Sequence, residues 1–279
     1  MLDALAAVFR LLLYSGVLTC AGTAFASRTL LTPELASKCG PLLTQVMRNG
    51  AWLAIGSSIA GVLILVLRLG GQFDESTLAA VFNSGFGAAT ALLLTGAGML
   101  LAALTDPTAQ SMRLASAALM TLSFALSGHA AAIDLADGLI VFVHASAAGW
   151  WIGSLLLLRF ACQQLNLSVV AQVVRRFSVL AVALVGGLVI AGLLLIRALL
   201  NFNGSSLSAY EQILAIKIGI ATVVLGVAAY NKLQLTPRLV AGDATARLSL
   251  RTSINVELAL IGVVIAVTAI LTTYTSPPE

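Results

Sequence analysis

The chain contains only two histidines, and the sequence places both near the same turn. His129 lies five residues before Asp134, and His144 lies seven residues after Asp137. A tight hairpin between two consecutive helices would bring the two imidazoles to a similar level. Imidazole is the commonest protein ligand for transition metals, and a pair of imidazoles suits copper, zinc or haem iron. The alternative is that each ring only donates a hydrogen bond to a neighbouring helix.

The acidic residues of the same hairpin extend this candidate site. Successive residues of a helix are 100° apart, so Asp137, His144 and Trp151, spaced by seven, fall on nearly one face. Asp134 and Asp137 would stand at the mouth of the site and raise the local concentration of cations. The predicted metal site therefore consists of His129, His144, Asp134 and Asp137.

Composition decides what kind of element must position these residues. Of 279 residues, 59% are hydrophobic and only 9% are charged, against about 25% in a typical soluble domain. The mean hydropathy is +1.03. No soluble fold of this length can bury so much apolar surface. The net charge of +4 comes from single cations at the edges of apolar runs, which gives no basic patch for nucleic acid.

Hydropathy predicts an all-α, polytopic membrane protein with one transmembrane domain over residues 1–279. An apolar run of about 20 residues spans the hydrocarbon core as a helix, because a helix satisfies its own backbone hydrogen bonds. The predicted runs, eight in number, lie near residues 4–26, 51–69, 84–104, 112–133, 138–158, 177–200, 211–230 and 254–274. Turn residues separate the runs, among them Thr32-Pro33, Gly70-Gly71, Asp106-Pro107 and Thr236-Pro237.

The distribution of cations predicts the orientation of this eight-helix bundle. Lys and Arg in short loops resist translocation and stay on the cytoplasmic side. Alternate connections hold eleven of the fifteen cations: Arg28, Lys38, Arg48, Arg113, Arg159, Arg175, Arg176, Lys232, Arg238, Arg247 and Arg251. The other connections hold mainly acidic residues. Both termini, and the histidine hairpin, are therefore expected on the non-cytoplasmic side.

A few ionisable and soft residues remain inside the predicted membrane, where each is a functional candidate. Arg10 and Lys217 lie about six residues below the outer surface, with Arg197 slightly higher, and these cations would repel a bare copper ion unless acids neutralise them. Glu257 is expected near the cytoplasmic surface, and its candidate partners are Arg48, Arg175, Arg176 and Lys232. Cys20, Met47, Met99, Met112 and Met120 are soft groups that could extend a copper path, although packing explains most of the methionines.

Residues 127–158 read SGHAAAIDLADGLIVFVHASAAGWWIGSLLLL, and this segment resembles the bacterial copper resistance D (CopD) family of inner-membrane proteins. The resemblance rests on Gly128-His129-Ala130, then His144, Trp151 and Gly153. It continues through Arg176-Phe177-Ser178, Lys217, Asn231, Leu235-Thr236-Pro237-Arg238-Leu239, Arg251 and Glu257. It covers about residues 120–270 and implies the same eight helices.

Membership of that family implies a role in copper homeostasis rather than an enzymatic activity. The expected role is copper uptake across the bacterial inner (plasma) membrane, or resistance alongside a periplasmic copper carrier of the CopC type. A third possibility is a membrane partner of such a carrier with no transport of its own. No nucleic acid is expected among the partners, which are the copper ion, that carrier and the lipid bilayer.

One rival from another class uses the same two histidines. In a b-type haem or quinone redox protein, His129 and His144 would be axial ligands, and Arg10 and Lys217 would pair with propionates or a quinone oxygen. The cationic residues fit this rival better than they fit a bare ion. Antiparallel neighbouring helices, however, would hold the two rings too close together to enclose an iron atom.

Overall fold

The computed structural model describes residues 1–127, 135–199 and 208–275. Within these ranges the chain is all-helical and has no strand. The first half contains α1 (Leu2–Leu30), α2 (Pro33–Arg68), α3 (Glu75–Phe82), α4 (Gly85–Ala103) and α5 (Gln110–Leu122), which ends in a 3₁₀ turn, Ser123–Leu126. The second half contains α6 (Leu135–Gln164), α7 (Leu167–Leu199), α8 (Ala209–Tyr230), a π turn (Asn231–Leu235), α9 (Thr236–Val240) and α10 (Ala244–Tyr274).

Seven helices in the described ranges are long and apolar enough to cross a membrane. They correspond to seven of the predicted runs, with α8, the π turn and α9 forming one continuous span. The fourth predicted run, 112–133, corresponds to α5 and its 3₁₀ turn, which is shorter, and the rest of that run lies largely outside the described residues. The chain is thus a multi-pass helical membrane protein.

Although α5 is short, with its 3₁₀ turn it extends as far along the bundle as α4. Thirteen α-helical residues and four 3₁₀ residues rise about 28 Å, which is close to the hydrocarbon thickness. The end of the 3₁₀ turn lies beside the start of α4, because a Cβ on Gly85 would lie 3.0 Å from the Leu126 carbonyl oxygen. It also lies beside the start of α6, since a Cβ on Gly138 would lie 3.3 Å from the Ala125 carbonyl oxygen.

Helices continue well beyond the apolar runs on the cation-rich side. The predicted connection between the first two spans is mostly helical, because α1 ends at Leu30 and α2 begins at Pro33. Thr32-Pro33 is therefore a helix start rather than a wide turn: the Thr32 side chain accepts the backbone N–H of Leu35, and proline occupies the first turn, where its missing N–H is not needed. An apolar run ends at the first cation, but the helix continues beyond it because Lys and Arg are good helix formers.

The predicted turn at Thr236-Pro237 is also wrong in detail, because the helix passes through it. Pro237 cannot donate the backbone hydrogen bond of an α-helix and its ring crowds the carbonyl one turn earlier. The chain widens into the π turn Asn231–Leu235, and the Thr236 hydroxyl donates to the Asn231 carbonyl oxygen at 2.9 Å. Such turns are frequent at functional sites, and this one presents Asn231 to α10.

Two predicted turns are confirmed by their backbone geometry. Gly70 and Gly71 follow α2 with φ of +114° and +74°, a region that favours glycine. Asp106 accepts hydrogen bonds from the backbone and hydroxyl of Thr108.

A further carboxylate, Asp243, caps α10, and hydrogen bonds from Thr245 and Arg238 lower its pKa to about 2, so it stays ionised at physiological pH.

The closest helix contact joins α1 to α6 through glycines. A Cβ on Gly22 would overlap the backbone of Gly149, and a Cβ on Gly153 would overlap the backbone of Gly22. Two helices approach this closely only where side chains are absent, which is the usual basis of small-residue packing in membranes. This contact fixes the rotation of α6 about its own axis.

We predict that Gly153→Ala destabilises the bundle, because the added methyl group forces α1 and α6 apart, at a cost of about 1–3 kcal/mol. Gly186→Ala on α7 is the matched control, since nothing lies within 4 Å of its added Cβ. That substitution should be neutral or stabilise by up to about 1 kcal/mol. Size-exclusion profiles of heated, detergent-solubilised protein measure both effects, and equal stability of the two variants would contradict the packing argument.

Candidate functional site

The structure places one predicted histidine and one predicted acid on α6. His144 lies nine residues from the start of this helix, about 14 Å along its axis. Asp137 lies in the first turn, where the helix dipole favours a carboxylate. The rise between Asp137 and His144 is about 10 Å, so Asp137 lies at the mouth rather than beside the ring. His129 and Asp134 lie outside the described residues.

The His144 side chain is half-buried and packs against α7. Its Cε1 atom lies 3.8 Å from where a Cβ of Gly192 would be, so the glycine leaves room for the ring. The imidazole also interacts with the backbone of Leu188, one turn earlier on α7. Its Nδ1 atom is buried and has no hydrogen-bond partner among the described residues, so the interaction with Leu188 belongs to Nε2.

This arrangement has the form of a metal-ligating histidine. Such a ring commonly donates its second N–H to a backbone carbonyl or carboxylate, which fixes the ring and leaves the other nitrogen free for the metal. A buried nitrogen without a partner is otherwise costly. The alternative from the sequence is a ring that only bonds one helix to its neighbour. In the described residues, one nitrogen of His144 makes such a bond to α7 and the other nitrogen makes none.

Lys217 of α8 lies in the same layer, as its depth in the sequence predicted. It is near enough to act electrostatically on His144. A positive charge here opposes the binding of a cation, so any copper ion at His144 needs a compensating negative charge nearby. Among the described residues of α6, Asp137 is the acid that could supply this negative charge.

The buried carboxyl group of Glu257 has a different environment from the predicted one. Glu257 is 2% exposed and lies near the middle of α10. It accepts hydrogen bonds from the indole Nε1 of Trp151, at 3.4 Å, and from the Nδ2 of Asn231. The expected partners Arg48, Arg175, Arg176 and Lys232 make no hydrogen bond or ion pair with it. Because α10 begins at Ala244, ten residues before the predicted apolar run, Glu257 lies near the middle of the helix rather than near its start.

Arg10 also has a partner that the sequence did not predict. Its guanidinium donates to the backbone carbonyl of Thr272 in the last turn of α10, and the Tyr14 hydroxyl lies 3.2 Å from the hydroxyl of Thr272. A cation at a helix C-terminus is favoured by the unsatisfied carbonyl groups there. Arg10 thus ties the start of α1 to the end of α10.

Two of the soft residues meet in the first half of the bundle. The Cys20 thiol on α1 lies 3.8 Å from the sulfur of Met120 on α5, and it also lies 3.5 Å from the Val17 carbonyl oxygen. Both side chains are fully buried. They pack beside glycines, because a Cβ on Gly50 or Gly96 would come within 3.0 Å of them. Close packing accounts for this pair.

The described ranges, the His144 region included, contain no complete cluster of metal ligands. No group of three or more His, Cys, Asp and Glu side chains there could hold a metal ion. An open groove of about 600 Å³ lies at the cation-rich end, where Arg28, Arg175 and Arg176 line it. Its charge suits anions, such as lipid headgroups, rather than copper.

These features define a polytopic helical membrane protein with a histidine and a buried carboxyl group inside its bundle. A family model for the copper resistance protein D-like N-terminal domain matches residues 1–139, and a family model for copper resistance protein D matches residues 171–271. The chain belongs to the copper resistance protein D (CopD) family and is a copper-homeostasis membrane protein. The match extends the resemblance to the segment before residue 120. No curated protein and no solved structure gives a significant match.

The haem or quinone alternative receives no support from these findings. It assigns Arg10 to a propionate or quinone oxygen, but Arg10 is bound to the Thr272 carbonyl. Neither family description names a haem or quinone group.

We predict that Arg10→Met lowers the stability of the protein without changing its copper content. The lost charge-assisted hydrogen bond is worth about 1–2 kcal/mol, which corresponds to a fall in apparent Tm of about 2–8 °C. Arg68→Met is the control, because Arg68 pairs with Asp3 at the surface and such pairs contribute little. Loss of copper from Arg10→Met at unchanged Tm would show that Arg10 serves the site instead.

Proposed function

We propose that this protein binds copper at the periplasmic end of its bundle and mediates copper uptake across the inner membrane. His144 holds the ion together with His129, while Asp134 and Asp137 attract cations to the mouth. A periplasmic carrier of the CopC type is the proposed source of the ion. The membership in a copper resistance family supports copper as the cargo. In this proposal the whole chain, residues 1–279, acts as one membrane domain.

The observation that carries this proposal is the free nitrogen of His144. Its Nδ1 is buried and has no partner in the part of the chain that the structure describes, while the Leu188 backbone holds the ring in place. Neutral imidazole nitrogen is a good ligand for copper ions. Because Lys217 opposes a second positive charge nearby, the acids of the mouth are needed to keep a copper ion there.

Replacing His144 with alanine should remove copper from the purified protein and reduce copper uptake into proteoliposomes to the level of empty vesicles. The fold should survive, because His144 makes only one polar interaction among the described residues. Elemental analysis and a copper flux assay measure the two effects. Ser154→Ala is the matched control: Ser154 lies on the same helix, is buried, and its hydroxyl has no hydrogen-bond partner among the described residues.

Three results would count against this assignment. Unchanged copper stoichiometry in His144→Ala would remove His144 from the site. A Soret band in the visible spectrum of the purified protein would replace copper with haem. Copper binding without flux into vesicles would leave the protein as a membrane partner of a carrier rather than a transporter.

We further propose that the chain crosses the membrane eight times, with the start of α1 and the end of α10 on the periplasmic side. The contact of Arg10 with Thr272 supports an even number of crossings, because it puts the start of α1 beside the end of α10. Seven long spans then require one more, and α5 with its 3₁₀ turn has the length and position for it. The cation-rich connections support the orientation.

This topology predicts the behaviour of reporter fusions placed after Thr275. Alkaline phosphatase, which is active only outside the cytoplasm, should be active there, and green fluorescent protein should not fluoresce. The same two reporters placed after Gly242, next to the cations of α9, should give the opposite results. Identical results at the two positions would contradict the proposed orientation.

A further inference from the structure

The carboxyl group of Glu257 lies at the meeting point of three elements in the centre of the bundle. Trp151 of α6 and Asn231 of the π turn both donate hydrogen bonds to it, and all three side chains are more than nine-tenths buried. Both donors are uncharged. The copper site proposed above does not use any of these residues.

Nothing in the described part of the chain neutralises a negative charge on Glu257. The cations on the elements that pack against α10 act elsewhere: Arg10 on Thr272, Lys217 on His144, Arg159 on Asn255, Lys232 on Ser178 and Arg238 on Asp243, while Arg28 lines the groove at the cation-rich end. The acids of these elements also lie elsewhere: Asp3 pairs with Arg68, Asp137 lies in the first turn of α6, and Glu211 caps α8. On α10 itself, Arg247 donates to the Leu165 carbonyl, and Arg251 acts on Cys162. Among the tyrosines of these elements, Tyr14 contacts Thr272, Tyr230 and Tyr274 are exposed, and Tyr210 lies in the first turn of α8, at the other end of that helix from Asn231.

An unpaired charge in a membrane interior is expensive, and a carboxylate in such a place takes up a proton instead. The proton of a neutral carboxyl group needs an acceptor. The Oδ1 atom of Asn231 is a buried acceptor that no described group donates to, and it belongs to the amide that already contacts Glu257. The site therefore has a place for one additional hydrogen, either directly or through a water molecule.

The position of this carboxyl group connects it with His144. Trp151 lies on the same face of α6 as His144, two turns further into the bundle, which is a rise of about 10 Å. His144 and Trp151, whose indole donates to Glu257, thus lie at successive levels along one face of α6. A cation moving inward from His144 would next approach the Glu257 carboxyl group.

We propose that Glu257 is a proton-binding residue that releases its proton when a copper ion enters the bundle. The O–H bond of the carboxyl group breaks, the proton leaves to water, and the carboxylate balances the charge of the ion. No electron is transferred in this step. The exchange of one positive charge for another avoids both an unpaired cation and an unpaired anion in the low-dielectric interior. This inference rests on the proposed entry of copper at His144.

Infrared spectroscopy of the full-length protein in lipid tests the first part without copper. A carbonyl band of a protonated carboxyl group should be present at neutral pH, shift in deuterium oxide and disappear in Glu257→Gln. The glutamine keeps the shape of the side chain and one of its two acceptor oxygens, and its NH2 group can donate to the Oδ1 atom of Asn231, so the fold should persist. Glu75→Gln removes an exposed carboxyl group from the first turn of α3 and should leave the band unchanged. Absence of a band that depends on Glu257 overturns the proposal.

Proton release on addition of copper tests the second part. In weakly buffered solution with a pH-sensitive dye, the wild-type protein should release about one proton per copper ion bound, as expected when metal binding is linked to deprotonation. Glu257→Gln should bind copper with almost no release, whereas Glu257→Asp should restore it. A Glu257→Gln variant that releases as many protons as the wild-type protein overturns the coupling, even if the infrared band is present.

The two proposals fail in different ways. If His144→Ala still binds copper, the site of the proposed function is wrong, while the infrared band and the proton release still report on Glu257. If wild-type protein binds no copper, the proposed function fails and so does the coupling, and the infrared band alone decides whether Glu257 holds a proton. A purely structural hydrogen-bond network would show stability losses in Glu257→Gln but neither spectroscopic change.

Discussion

The contact between α1 and α6 determines where every candidate functional group of α6 points. Gly149 and Gly153 lie four residues apart on the face that touches Gly22 of α1. At 100° per residue, His144 and Trp151 lie on nearly the opposite face. Because no side chain separates the two backbones, α6 cannot rotate without a clash. The polar face is therefore held toward α7, α8 and α10, where it meets Gly192, Lys217 and Glu257.

Hydropathy was sufficient to predict most of the membrane spans, because the bilayer imposes a simple requirement on length and polarity. Hydropathy could not locate helix ends. The helix α2 contains Lys38 and Arg48 ahead of its apolar run, and the helical span that starts with α8 continues through Pro237 by means of a π turn. A membrane boundary limits apolar residues, whereas a helix boundary depends on caps and backbone donors. Thr32 is such a cap at the start of α2, whereas the dipeptide Thr32-Pro33 by itself indicates a turn.

The depth of a residue along its helix was the most useful quantity for the site. It predicted the position of Lys217 but not the partners of Glu257. Lys217 was predicted in the histidine layer, and the structure places it within electrostatic reach of His144. The same depth count gave Glu257 the cations of the cytoplasmic side as partners, whereas its partners are Trp151 and Asn231. Pairing across helices also depends on rotation about each axis, which the sequence of one chain does not specify. Asn231 was missed for this reason, since its orientation comes from the π turn.

The distribution of charge along the polar face gives direction to a cation in the proposed mechanism. A cation near His144 lies beside Lys217 and is repelled by it. About 10 Å further in, the Glu257 carboxyl group attracts the cation once its proton has left. The sign of the field thus changes from positive to negative toward the middle of the bundle. Protonation of Glu257 removes the attraction, so the inward pull exists only while the carboxyl group is ionised. Lys217 on α8 would then keep the ion from resting near His144, and the Glu257 carboxyl group on α10 would hold the ion when ionised and release it when protonated.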